Sequence, residues 1–167
     1  MRLLWQLSDG ADRLARLLLV PIGVCFISVV FLGVLTRYVF HAPIVSSIEL
    51  ARISFVWAAF LGAAICFKSE KHTQFAFLLD AVSAPVRAAF KVGIAFLCLG
   101  FFAFLVVKGV QMVQMVEATY FPALGWSQLW LYLPLPLSAC CMCLHALAFL
   151  GRDVGALLRG AGQGRGQ

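Results

Sequence analysis

The chain has 167 residues, 63% of them hydrophobic, and a mean hydropathy of +0.98. This composition excludes an ordinary soluble domain and leaves no room for a soluble catalytic domain beside the apolar segments. The net charge of +6 comes from basic residues in the tails and connections, which argues against nucleic-acid binding and indicates contact with anionic lipid.

The first sixteen residues are amphipathic. Their polar residues recur at helical spacings, and Trp5 with several leucines occupies much of the other face. This pattern predicts an interfacial helix over about 2–13, in which Gly10 is a possible break. The uncharged run that follows is too long for a signal peptide and lacks a small-residue cleavage site, so we expect a retained first membrane helix over about 14–36.

The second membrane helix is predicted over about 47–67, after a short connection that contains Pro43. Ser46 and Glu49 have the spacing of a capping box, with the serine at the N-cap. Small residues four apart in this helix permit close approach of another helix. These pairs are Ala58 with Gly62 and Ala59 with Ala63.

A third apolar run predicts a membrane helix over about 86–112. The connection before it mixes apolar and polar residues, which predicts a short interfacial helix over about 74–84, ended by Pro85. Polar residues recur every three positions after the run, so the helix is expected to tilt, bend or protrude from the membrane. These residues are Lys108, Gln111, Gln114 and Glu117.

The last membrane helix is predicted over about 126–150, with aromatic residues at its entry that favour the membrane interface. Pro134 and Pro136 should kink this helix, unless it begins there. The Gly-rich end predicts a flexible tail over 156–167. Residues 1–155 therefore form one all-α membrane domain with four membrane helices and two interfacial helices.

Lys and Arg are distributed unequally between the two sides of this arrangement. The two tails and the second connection contain ten of the Lys and Arg residues. The other two connections contain Arg37 and Lys108, and Arg52 lies inside a helix. By the positive-inside rule, both termini are cytoplasmic. An even number of crossings requires both termini on one side in any case.

Glu49 and Arg52 are three residues apart and share a helix face. An arginine at membrane depth requires a partner or access to water. Three interpretations stay open: a capping carboxylate paired with a snorkelling arginine, contact with another membrane subunit, or a proton relay.

Cofactor chemistry has little support in the sequence. Cys140 and Cys141 are adjacent on a helix and point about 100° apart, so the cluster that they form with Cys143 is interpreted as packing. His41, His72 and His145 are the candidates for haem or metal, and only the last two could lie at matching depth. We expect no cofactor, no metal and no enzyme activity.

Two other functions compete with a supporting subunit. One is a stand-alone four-helix transporter or exporter, and the other is a membrane redox protein that uses haem or thiols. A substrate path is usually marked by polar residues near the middle of several helices or by broken helices in related halves. The first and third helices are apolar through their centres, which favours a supporting subunit.

A series of short motifs resembles a known family. It comprises Arg37-Tyr38-Val39-Phe40, Glu49-Leu50-Ala51-Arg52, Phe55-Val56-Trp57, Phe60-Leu61-Gly62-Ala63-Ala64, His72 and Ala123-Leu124-Gly125. In this order and spacing, over about Leu14–Leu150, the series is similar to the small membrane subunit of tripartite ATP-independent periplasmic (TRAP) transporters, the DctQ-like family.

The resemblance implies a subunit of the bacterial inner membrane. Its partners would be a large permease that takes up an organic acid with sodium and a periplasmic substrate-binding protein. We expect the contact with the large permease to involve Glu49, Arg52, Phe55, Trp57, Ala58 and Gly62. We expect the periplasmic contact at Gln111, Gln114, Glu117 and Trp126. Interfacial anchors to membrane lipids are expected at Trp5, Arg13, Arg16, Lys68, Lys71, Arg87 and Lys91.

Overall fold

A computed structural model describes residues 2–69 and 84–163. These residues form helices and no β-strand, apart from one isolated bridge between Tyr120 and Ser127, so the predicted all-α fold is confirmed. The helices are α1 (Arg2–Tyr38), α2 (Val45–Ser69), α3 (Ala84–Val116), α4 (Leu129–Tyr132) and α5 (Pro134–Gln163).

Four segments of the described chain are long and apolar enough to cross a membrane, as the sequence predicts. An apolar helix of about 20 residues spans a hydrocarbon core of roughly 30 Å. The four spans are Trp5–Tyr38, Val45–Ser69, Val92–Val116 and Leu129–Gly151.

The first span differs from the sequence prediction, because α1 is continuous from Arg2 to Tyr38. An interfacial helix over 2–13 is therefore not a separate element, and Gly10 does not break the helix. A glycine inside a helix costs only about 1 kcal/mol relative to alanine, which contacts elsewhere can offset. Trp5 and Ser8 provide such contacts, since both pack against α5. The interfacial helix predicted over 74–84 lies almost wholly outside the described residues.

The last span begins with two helical pieces. The four-residue α4 ends at Tyr132, and α5 begins at Pro134, so the long helix starts at the first proline. Proline suits the first helical position because its missing N–H would have no intrahelical acceptor there. The Ser138 hydroxyl donates to the Pro134 carbonyl at 2.7 Å. At the other end α5 continues to Gln163, so most of the predicted flexible tail over 156–167 is helical.

The helices pack as two pairs, α1 with α2 and α3 with α5. The pairs meet through α5, which also contacts α2 and α1. Half of the most apolar window of the last span is buried, whereas none of the corresponding window of the first span is. Thus α5 is the central helix, and α1 presents an apolar surface to its surroundings.

Buried side chains form three clusters along this arrangement. The first joins Ala64 of α2 to Phe102 of α3 and to Met142 and Ala146 of α5. The second joins Ala15 of α1 to Leu61 and Ile65 of α2. The third contains Ile53, Phe121 and Leu131, and it lies where the α3–α4 connection folds over α2.

The helices α3 and α5 approach each other closely at a glycine. A Cβ atom at Gly109 would lie 3.0 Å from Pro136 Cδ and 3.1 Å from its backbone nitrogen. At Gly62, where small-residue spacing predicts close packing, a Cβ atom would meet nothing within 4 Å. Gly109 therefore sets the separation of α3 and α5, and Gly62 has room beside it in this chain.

Replacement of Gly109 by alanine is expected to destabilise the protein by about 1–3 kcal/mol, because the added methyl group collides with a rigid ring and with backbone. Gly100 is in the same helix, and a Cβ atom there would meet nothing within 4 Å. Gly100→Ala should therefore be neutral or slightly stabilising. Thermal unfolding of both variants in one detergent measures the difference. Equal melting temperatures would show that α3 and α5 adjust without strain.

Candidate subunit-interface site

The Glu49 carboxylate binds the connection between α3 and α4. It accepts hydrogen bonds from the backbone N–H of Ala123, 3.2 Å from each oxygen, and from that of Leu124 at 2.8 Å. The predicted capping box with Ser46 is therefore absent. The helix already begins at Val45, which places Ser46 inside it, and the carboxylate points across to another segment instead of back along its own helix.

The connection that Glu49 binds is a short hairpin over residues 120–127. Its two sides are joined by Phe121 N–H donating to the Trp126 carbonyl at 2.8 Å and Gln128 N–H donating to the Thr119 carbonyl at 2.7 Å. Gly125 has φ of 68°, a conformation that glycine adopts without steric cost. We call this segment the 120–127 hairpin.

Two further contacts fasten the hairpin region to α2. The Phe121 side chain is buried against Ile53 and Leu131. The Trp57 indole N–H donates to the Trp130 carbonyl at 2.8 Å. Glu49 and Trp57, both predicted to contact the large permease, thus hold parts of this chain together.

Arg52 lies on the same helix but has a different environment. Its side chain is exposed, and no carboxylate in the described part of the chain lies within 4.0 Å of it. The proposed pairing with Glu49 is therefore not formed. Arg52 lies seven residues after Val45, about 10 Å along the helix axis. This cation at the edge of an apolar span has no counter-charge from the described residues.

The remaining residues of the predicted permease face are divided between exposed and half-buried positions. Phe55 is 56% exposed, and its ring contacts Phe26 of α1 at a centroid distance of 5.7 Å. Ala58 and Gly62 are half-buried. Arg52 and Phe55 are therefore the members of this set that are most available to another protein.

The four residues predicted to face the periplasmic partner are all exposed. Gln111 and Gln114 lie in the last turns of α3, and Lys108 donates to the Gln111 side chain at 3.2 Å. Glu117 follows just before the hairpin, and Trp126 lies within it. The structure thus gathers all four at the hairpin end of the bundle.

Lys68, predicted to be a lipid anchor, is part of an ion cluster within this chain. Its ammonium group lies 2.7 Å from Asp9 and 3.7 Å from Asp12, and it donates to the Ser8 carbonyl at 3.1 Å. Only 15% of the side chain is exposed. The continuous α1 explains the difference, because it brings both aspartates beside the end of α2.

The other predicted anchors have varied surroundings. Arg16 pairs with Asp12 at 3.0 Å and donates to Ser69 at 3.1 Å. Arg13 is exposed, and the Trp5 ring packs edge-on against Phe149. The backbone of two more, Arg87 and Lys91, lies in the first turns of α3, and Lys71 lies outside the described residues.

A buried polar contact between α1 and α5 has no counterpart in the sequence predictions. The Ser8 hydroxyl lies 2.7 Å from His145 Nδ1, and both side chains are almost completely buried. Buried polar groups are normally hydrogen-bonded, and here each of the two side chains provides the hydrogen-bond partner of the other. Ser8 lies among the polar residues at the start of the first helix, but no sequence signal identifies His145 as its partner.

The thiols differ in exposure. Cys25, Cys66 and Cys140 are exposed, whereas Cys141 and Cys143 are half-buried. Among the described residues, no group of three His, Cys, Asp or Glu side chains is arranged to hold a metal ion. The notable polar features of the described residues are the Glu49 contact, the uncompensated Arg52, the Lys68 cluster and the buried contact between Ser8 and His145.

Comparison with known proteins assigns the arrangement to a family. Residues 26–156 match the family described as tripartite ATP-independent periplasmic transporters, DctQ component. This range includes α2, α3, α4 and the 120–127 hairpin in full.

Two relatives illustrate the match. The sialic acid TRAP transporter small permease protein SiaQ of Vibrio cholerae is 24% identical over 136 residues, which cover 81% of this chain and 79% of the relative. The sialic acid TRAP transporter permease protein SiaT of Haemophilus influenzae is 28% identical over 114 residues, which cover 65% of this chain but only 18% of that longer relative. With four spans and a family match over most of its length, the chain belongs to the DctQ component family of TRAP transporters and is a multi-pass small transporter subunit.

Proposed function

We propose that this subunit is a scaffold that holds the large permease of its transporter in the membrane. The observation that carries the proposal is the exposed Arg52 beside the exposed Phe55 on an apolar helix. An arginine inside an apolar span is costly unless it has a partner or access to water. A carboxylate or a row of carbonyl groups on the large permease would supply the missing partner.

The surface of α1 supports the same role. Its exposed large residues include Leu17, Val24, Ile27 and Phe31, and no residue of its most apolar window is fully buried in this chain. This helix packs on α2 and, near its start, on α5, so the rest of its circumference faces lipid or another subunit. Lipid would satisfy these apolar side chains, whereas a protein partner on the adjacent α2 face would also give the Arg52 guanidinium directed hydrogen bonds.

The orientation is part of the proposal. Lys and Arg concentrate near the start of α1, near the end of α5 and around the connection between α2 and α3, which favours an orientation with both termini in the bacterial cytoplasm. The 120–127 hairpin and the ends of α3 and α4 then face the periplasm. Gln111, Gln114, Glu117 and Trp126 are exposed on that side and form the proposed contact for a periplasmic substrate-binding protein.

The transported compound is proposed to be an organic acid taken up with sodium by the large permease. Two of the relatives are named as sialic acid TRAP transporter proteins, which supports an organic acid as the substrate class. In this division of labour the small subunit contributes position and attachment, and the large permease contributes the substrate and sodium sites.

Reconstitution into liposomes tests the proposal. The small subunit alone is expected to give no uptake of a labelled organic acid under a sodium gradient. The small subunit with its large permease and binding protein should give sodium-dependent uptake, at least about tenfold above vesicles without protein. Uptake by the small subunit alone would contradict the scaffold role and would favour a stand-alone transporter.

A further inference from the structure

We infer that Glu49 is a positioning residue that latches the 120–127 hairpin onto α2, so that Tyr120 and Trp126 are presented in a fixed orientation to the periplasmic binding protein. The latch itself is a property of this chain, whereas the identity of the partner rests on the proposed function. Glu49 acts through the hairpin backbone and would not itself contact the partner.

The first step is the chemistry of the Glu49 contact. A carboxylate that accepts from backbone N–H groups forms charge-assisted hydrogen bonds, roughly twice as strong as neutral ones. Ala123 and Leu124 lie at the turn of the hairpin, between the residues whose backbone groups join its two sides. Among the described residues, Glu49 is the one side chain that binds these two N–H groups.

The second step is the geometry of α2. Glu49, Ile53 and Trp57 are four residues apart in sequence, so they line one face of the helix. All three contact the segment from the hairpin to α4: Glu49 through its carboxylate, Ile53 through Phe121 and Leu131, and Trp57 through the Trp130 carbonyl. Arg52 lies about 100° from Ile53 around the helix. One rigid helix thus carries the hairpin on one face and the proposed permease contact on another.

The third step is what the fixed hairpin displays. Tyr120 is 62% exposed and Trp126 is 52% exposed, although the backbone of both is held by the bridge and hydrogen bonds of the hairpin. Tyr and Trp are enriched at the centres of protein interfaces, and a fixed backbone reduces the entropy lost on binding. The hairpin lies between the spans Val92–Val116 and Leu129–Gly151, where a soluble protein can reach it.

Hydrogen–deuterium exchange tests the latch without any partner. In the purified small subunit, Glu49→Ala should accelerate exchange of the Ala123 and Leu124 amides by at least about tenfold, since each amide loses its acceptor. Glu49→Gln keeps one neutral acceptor and should give an intermediate rate. Thr36→Val is the control, because Thr36 donates only to Gly33 within α1. Unchanged exchange in Glu49→Ala would overturn the latch.

Binding of the substrate-binding protein tests the docking role. With the complex of small subunit and large permease in nanodiscs, Glu49→Ala should raise the Kd of the binding protein by about tenfold, with Thr36→Val unchanged. The yield of the complex should stay at the wild-type level in both variants, which separates this test from that of the scaffold. Faster exchange with an unchanged Kd would overturn the docking role and would leave the two aromatic side chains as contacts to the membrane interface.

Discussion

Replacement of Arg52 by leucine is expected to lower the amount of large permease that co-purifies with the small subunit by at least about tenfold. Arg52 is exposed on an apolar span and has no carboxylate within 4.0 Å among the described residues. If the large permease provides its partner, the leucine variant leaves that partner group buried and unpaired. Loss of one member of a buried charge pair costs about 2–5 kcal/mol at an interface, which exceeds the tenfold threshold.

Two further variants make this result specific. Arg52→Lys retains a cation but not the planar fork of donors, so we expect an intermediate yield. Lys108→Leu removes an exposed cation from the end of α3 and should leave the yield at the wild-type level. The measurement is the ratio of large to small subunit after affinity purification from membranes with equal expression. A wild-type ratio for Arg52→Leu would remove Arg52 from the interface.

Replacement of Lys68 by methionine is expected to lower the melting temperature of the small subunit by about 5–10 °C. The substitution removes a mostly buried cation, so the neighbouring carboxylates lose their counter-charge. Lys68 holds Asp9, Asp12 and the Ser8 carbonyl at the end of α2. Methionine preserves most of the side-chain volume, so the charge and its hydrogen bonds are the main change. Loosening should begin where α1 packs against α2 and α5.

Arg13→Met is the matched control for this measurement. Arg13 is an exposed cation in the same stretch of α1, and it forms no ion pair among the described residues. Its replacement should change the melting temperature by less than about 2 °C. Unfolding is followed in a neutral detergent and again with anionic lipid. A decrease for Lys68→Met that occurs only with anionic lipid would indicate that Lys68 contacts lipid headgroups instead of the two aspartates.

The helices were predictable because their signal is local. A run of about 20 apolar residues is a property of one segment. Inside a membrane a single spanning segment forms an α-helix, because only a helix satisfies all of its backbone hydrogen bonds within the segment. The four spans are therefore confirmed, and the start of the last helix at Pro134 was one of two alternatives that the proline pattern allowed. The continuous α1 was not predicted, because its helix depends on contacts of Trp5 and Ser8 with α5, far away in sequence.

The roles of individual polar residues were less predictable. Glu49 has the spacing of a capping residue, yet it binds a hairpin 74 residues away. Lys68 resembles an interfacial anchor, yet it is enclosed by Asp9 and Asp12. In both cases the sequence identifies a charged residue at the end of a span, but its partner depends on which helices are neighbours and on how they are rotated.

The sequence by itself determined the number of spans, the family resemblance and the importance of the Glu49–Arg52 segment. Hydrophobicity acts along the chain, and its pattern is present before any helix meets another. Only the tertiary structure decided that Glu49 is engaged within the chain and Arg52 is left exposed. The physical reason is that an α-helix turns by about 100° per residue, so residues three apart share a face but still differ by about 60° in direction and can contact different neighbours once the helices pack.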